Sequence, residues 1–269
     1  GSNNVGIGHR ALQANTTANN NTAVGYQSLY TNTTGDSLTA VGYQALKAST
    51  GVNNTAVGYN AFTANTTGVH NAGLGRAAGL SNTTGSYNVA IGDAALPFNT
   101  TASNNTAVGY QSLYSNTTGV DNTAVGDIAL RGNTTGGNNV AVGRYAGYSG
   151  ATSNYGVFVG AQAGFNVTGD NNTAVGYQAI NNGACTGANN TAVGYRAGYS
   201  NTTGVENTFV GRGAANANTT GQHNAVFGDY AYGAGTTGNY NTAIGKNALR
   251  FNTTASLNTA VGYQALYSN

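Results

Sequence analysis

Ten Asn-Thr-Thr tripeptides are the most regular chemistry in this chain, beginning at Asn15, Asn32, Asn65, Asn82, Asn99, Asn116, Asn133, Asn201, Asn218 and Asn252. Each fits Asn-x-Ser/Thr, the acceptor pattern for N-linked sugar when the Asn lies on a surface turn of a secreted protein. A second set, Asn-Asn-Thr, begins at Asn20, Asn53, Asn104, Asn171 and Asn189. The same residue types have another use. Asn and Thr repeated at corners form hydrogen-bonded ladders without any sugar. Crowding also counts, because a sugar is wider than the ~4.8 Å between stacked chain segments. Neighbouring acceptors are filled together only if glycans fan outward.

Other chemistry finds little support. The acids Asp36, Asp93, Asp121, Asp127, Asp170, Asp229 and Glu206 are too few and too dispersed for paired-carboxylate catalysis. His9, His70 and His223 are far apart in the chain, and the Gly-Gly-x-Gly-x-Asp pattern of calcium-binding rolls is missing. Glycine-rich stretches such as residues 73–79 precede no helix signal, so they do not read as phosphate loops. Cys185 is the single cysteine, which leaves no intrachain disulfide, and it falls in a lengthened repeat that reads as a loop insertion. The expectation is a protein that is not an enzyme and holds no metal or cofactor. Nine Lys and Arg, scattered along a chain of net charge +2, give no phosphate-binding surface, so no nucleic-acid partner is expected. No apolar run approaches the ~18 residues of a membrane span, so insertion into a bilayer is not expected either.

The elements that would position these residues come from an internal repeat. Taking the Gly of the recurring Ala-Val-Gly as position zero, sixteen copies run from Gly8 to Gly262, and twelve of the fifteen spacings are 17. The residue before this Gly is Val, Ile, Leu or, at Phe227, Phe; the third after it is Ala or Ser in all sixteen copies. The ten Asn-Thr-Thr Asn all lie at position +7. No helix signal fits a unit with central Gly and β-branched residues. A short Thr-Ala-Val strand, a Gly bend, a second short Gln-Ala-Leu strand and an Asn-Thr-Thr-Gly corner are expected. The three length changes fit in turns, at residues 47–51, 165–171 and 181–189. The chain therefore reads as all-β, a parallel β-solenoid of about sixteen 17-residue coils forming a single domain over residues 1–269. Stacked at strand spacing, it would be a rod ~75 Å long.

Small residues at −2, 0 and +3 are expected to fill a narrow interior, leaving the Val at −1 as an outward apolar row and an association surface. Alternation defines two faces without naming them, so the reverse arrangement stays open. Position +1 offers an internal check on stacking. It runs Arg76 then Asp93, Asp127 then Arg144, and Arg212, Asp229, Lys246, always opposite in sign between neighbours. Elsewhere it carries Tyr, as Tyr26, Tyr43, Tyr59 and Tyr177, Tyr195, the pattern of an aromatic ladder.

The segments Asn-Val-Ala-Ile-Gly-Asp-Ala-Ala at residues 88–95 and Asn-Thr-Ala-Val-Gly-Tyr-Gln-Ala elsewhere resemble the YadA-like head repeats of trimeric autotransporter adhesins, and repeats of bacteriophage tail-fibre-type proteins. The resemblance covers the whole chain and implies a left-handed β-roll, trimerised, projecting from a surface and binding matrix or cells. The family's unit is shorter, near fourteen residues, and lacks the Asn-Thr-Thr-Gly corner.

The leading functional expectation is an extracellular or cell-surface structural fibre, self-assembling and decorated with covalent glycans. An adhesin or receptor-binding fibre using Tyr ladders on surface carbohydrate is the alternative. Ice binding through Thr arrays is a third reading, weakened because the paired Thr sit at a corner instead of alternating on a strand. The chain is also expected to continue end to end. Asn269 has the place of a corner Asn and Gly1 that of a corner Gly, so a Thr-Thr between them would complete the motif.

Overall fold

The computed structural model describes residues 1–268; Asn269, to which the end-to-end expectation refers, lies outside the described residues. The chain divides into two compact units, Gly1–Gly137 and Asn138–Asn269. Each is a parallel β-solenoid. In the first, eight strands from β1 (Val5–Ile7) to β8 (Thr123–Val125) pair in sequence order. In the second, β9 (Val140–Val142) to β16 (Thr259–Val261) do the same. Equivalent residues stack in register, with Thr22 beside Thr39, Ala23 beside Ala40 and Val24 beside Val41. The short and long repeats keep that register, Thr39 beside Thr55 and Thr173 beside Thr191, so turns absorb the length changes. No helix occurs among the described residues.

Each coil has one strand, of three residues, and not the two expected. The Gln-Ala-Leu segment is a turn in which left-handed residues alternate with ordinary ones: Gln27 has φ 53° and Leu29 φ 49°. The same two positions, and the one five before the key Gly, are left-handed in every coil. Outside glycine that conformation costs about 1–2 kcal/mol per residue, so such a turn persists only when its neighbours hold it. They do. The left-handed turns send backbone N–H groups alternately up and down the stack. Leu29 N–H donates to Ala45 O of the following coil at 3.1 Å, and Gln27 N–H to His9 O of the preceding one at 3.0 Å.

The key Gly is half-exposed and fills no core, contrary to the expectation for position zero. Its part is in the backbone. Gly25 has φ 132°, which non-glycine residues avoid, and a Cβ there would overlap the carbonyl oxygen of Gly42. The interior is made instead by Ala at −2 (Ala23, Ala40), Ala or Ser at +3 (Ala45, Ser28) and Leu at +4 (Leu29, Leu46), all buried. Burying each Leu contributes about 1.5–3 kcal/mol. Where a Phe replaces one of these residues, glycines make the room. A Cβ on Gly73 or Gly79 would overlap Phe62, one on Gly156 or Gly164 would overlap Phe158, and one on Gly198 would overlap Phe209. Val at −1 points outward, as expected, leaving Leu74 52% and Phe227 40% exposed.

Gly42→Ala should therefore lower stability by roughly 3 kcal/mol or more, through both conformation and contact. Ala77→Gly, at a left-handed position with φ 55°, should leave the thermal midpoint unchanged or raise it. Thermal unfolding followed by circular dichroism checks both. A Gly42→Ala chain that melts with the parent would show that the close backbone approach is dispensable.

Candidate functional site: polar columns and the outer face

The Asn-Thr-Thr corner is not the surface acceptor that its sequence suggests. Asn32, Asn65, Asn82, Asn99, Asn116, Asn133, Asn201, Asn218 and Asn252 are buried, and Asn15 is half-buried. The cause is the tight turn itself, which aims each side chain back across its own corner. Asn82 Nδ2 donates to Gly85 O at 2.9 Å and to Asn65 Oδ1 of the preceding coil at 2.8 Å. The column continues through Asn99, Asn116 and Asn133, linked by bonds of 2.8, 3.1 and 2.9 Å, and in the second unit Asn218 donates to Asn201 at 3.0 Å. Asn15 and Asn252 close the same local turn, on Ala18 O and Ala255 O. A sugar on Nδ2 would remove a donor and put its bulk inside the coil. The first Thr joins the ladder as well, Thr83 Oγ1 donating to Thr100 O at 2.9 Å.

Some coils that lack this Asn replace it chemically, whereas in the coil of Gly160 a buried Val167 takes the place. Asn65 Nδ2 donates to Ser49 Oγ at 3.1 Å. Near Gly235, Tyr232 reaches in from its own turn; its hydroxyl donates to Gly238 O and accepts from Asn241 Nδ2. Cys185 takes the place in the lengthened repeat, its thiol facing Gly187 O at 3.8 Å and accepting from Asn201 Nδ2 at 3.6 Å. Although residues 181–189 do form a loop, Cys185 is a buried member of the corner column. Burial pushes its thiol up to about 11, outweighing the hydrogen bonds with Gly187 and Asn201 that lower it.

A second polar column lies at −4, where Asn occurs in fourteen of the sixteen coils. Asn88 Oδ1 accepts the backbone N–H of Asn105 at 3.0 Å, while Asn88 Nδ2 donates to Ala102 O at 2.9 Å. The pattern recurs down both units, for example Asn224 Oδ1 to Asn241 N at 2.9 Å and Asn224 Nδ2 to Gly238 O at 2.9 Å. This column was legible as an Asn before nearly every Thr-Ala-Val, Leu38 being the exception. Its twofold hydrogen bonding was not.

On the outside, position +1 behaves as a stacked row. Arg76 meets Asp93 at 2.8 Å. Arg212 grips Asp229 through Nε and Nη2 at 2.8 and 2.9 Å, with Lys246 4.0 Å from the same carboxylate. That two-bond grip holds the Asp229 carboxyl below its ordinary value and raises Arg212. Asp127 lies in the first unit and Arg144 in the second, where Arg144 covers the Tyr145 ring at 4.8 Å. His9, Tyr26, Tyr43 and Tyr59 stack with centroids 5.4, 5.1 and 5.0 Å apart and planes within 9°. Tyr177 and Tyr195 stack at 5.7 Å. Within such a row neighbouring rings cover one another's faces, so a sugar meets mainly ring edges there, a poor platform for stacking. Among the described residues, no three His, Cys, Asp or Glu side chains come together. No protein-family model, curated protein or solved structure matches the chain.

Asn88→Ala should destabilise the chain by about 2–4 kcal/mol, because it orphans one buried donor and one buried acceptor. A denaturant midpoint unmoved from the parent would show that the column is not holding the coil. For Cys185, iodoacetamide at pH 8 should react ~100-fold or more slowly than with a free cysteine, since so little thiolate forms. Labelling at the rate of free cysteine would place the thiol outside the ladder.

Proposed function

We propose that the chain is a subunit of an extracellular structural fibre that joins copies of itself through its Thr-Ala-Val face. The observation that carries this reading is the chemistry of that face. Position −1 is aliphatic or Phe in all sixteen coils, and position −3 is only Thr, Ala or Val. Both point outward, and neither carries a charge or a Pro anywhere. A contiguous apolar patch on a sheet face usually marks an association surface. The charges of this chain lie elsewhere, some in ion pairs along +1. The resemblance to trimeric adhesin heads supports three copies around the face and an extracellular place.

A second reading draws on the same face. Ten of the sixteen −3 residues are Thr, so hydroxyls and methyls alternate on a regular sheet at strand spacing, an arrangement able to order water as ice. Here the Thr are on the strand, not at the corner.

Sedimentation across a wide concentration range separates the two. The parent chain should associate, and Val57→Lys with Val108→Lys should stay monomeric with an unchanged circular dichroism spectrum. A parent that is monomeric at high concentration sinks the fibre reading; thermal hysteresis in that monomer would favour the ice surface.

A further inference from the structure

The two Asn-x-Thr sets are alike in sequence and opposite in the fold. Nine of the ten Asn-Thr-Thr asparagines are buried and donate their Nδ2 hydrogens within the coil. Asn20, Asn53, Asn104, Asn171 and Asn189 are all exposed. They occupy position −5, with φ of 57°, 58°, 61°, 56° and 60°, a left-handed turn residue that lifts its side chain off the coil. Among the described residues, their Nδ2 groups make no hydrogen bond within the chain; Asn20 only accepts one, from Asn3. The residue two further on is the −3 Thr: Thr22, Thr55, Thr106, Thr173 and Thr191. Each lies at the outer face, partly or fully exposed, with no hydrogen bond to its hydroxyl among the described residues. Both halves of the acceptor pattern are therefore open together on this row, whereas the corner row offers the Thr but hides the amide.

We propose that the Asn-Asn-Thr row, Asn20, Asn53, Asn104, Asn171 and Asn189, is where this protein carries N-linked sugar, and that the Asn-Thr-Thr row carries none. The proposal rests on the extracellular reading above, since the donor, an oligosaccharide held on a lipid diphosphate, belongs to secretory compartments. In the transfer, Nδ2 forms a bond to the anomeric carbon and gives up one proton to solvent. The bond from that carbon to the diphosphate oxygen breaks, and the lipid diphosphate leaves with the electron pair. A sugar added at −5 extends into solvent and removes no hydrogen bond from the coil. One added at +7 removes a donor from the buried ladder, so a chain bearing it does not complete the stack. Sugar placement is in this way sorted by folding, although the transferase meets an unfolded chain. Asn171 and Asn189 belong to adjacent coils, where two glycans have only about 4.8 Å between their attachment points, so occupancy of one should lower that of the other.

The test is secretion of the full chain from a host that transfers oligosaccharide to Asn-x-Ser/Thr. Enzymatic release of the sugar in heavy-oxygen water then marks each used Asn, and peptide mapping of the folded, protease-resistant fraction reads the marks. Label is expected at Asn20, Asn53 and Asn104 and at one or both of Asn171 and Asn189, with none at the ten corner Asn. Thr22→Ala should abolish label at Asn20 alone. That variant keeps the fold, because Ala72 and Ala225 occupy the equivalent place in other coils. Label on the corner Asn of folded chains, or a folded secreted chain with no label on the −5 row, overturns the proposal. Assembly measured on the same material is a separate readout: sugared chains that stay monomeric would sink the fibre reading and leave this one standing, and bare chains that assemble would do the reverse.

Discussion

A coil of about 17 residues encloses almost no volume, and that limits everything else. Its interior holds one layer of Ala and Leu, too little apolar surface to order the chain unaided. Backbone polar groups facing that interior must also be satisfied, and only three residues per coil lie in a strand ladder. The buried Asn at −4 meets both needs at once. Its Oδ1 takes a backbone N–H in one neighbouring coil and its Nδ2 gives a bond to a corner carbonyl, so a single side chain ties strand entry to corner. Amide side chains suit this place because each offers an acceptor and two donors on a short, uncharged stem.

The remaining geometry follows from stacking. Three left-handed residues per coil would each be unfavourable in isolation, and no single coil could hold them. Repetition changes the balance, because the backbone bonds of each turn run to the coils on either side. The same mutual dependence explains the paired substitutions. A Phe enters the interior only where Gly replaces a neighbour, and Tyr232 supplies a hydroxyl where Gly235 stands in place of a corner Asn. Stability is thus a property of neighbouring coils taken together, as in other solenoids.

The surfaces divide along the same rule. In-register stacking multiplies whatever a position carries, so like charges would repel along a row and unlike charges attract. Position +1 alternates Arg212, Asp229 and Lys246 accordingly. These pairs are exposed, and each contributes at most about 1 kcal/mol; their larger effect is on register. The Thr-Ala-Val face multiplies methyl and hydroxyl groups instead. That is why it, and not the aromatic row whose rings cover one another, is the surface proposed here for association.

By itself the sequence determined the architecture. A 17-residue period, small residues at −2 and +3 and opposite charges at +1 leave room for little except a parallel stack, and alternation put the Val row on the face opposite the Ala at −2, while only the fold decided that this face is the outer one. It could not determine where the Asn side chains point. Asn32 and Asn20 both precede a Thr by two residues, yet one closes its turn inward and the other stands outside it. That difference is set by backbone torsions stable only in the stack. The Gln-Ala-Leu segment was read as a strand for the same reason: alternation of side chains occurs in a strand and also in a run of alternating left-handed residues. The two are told apart only when the neighbouring coils are there to receive their hydrogen bonds.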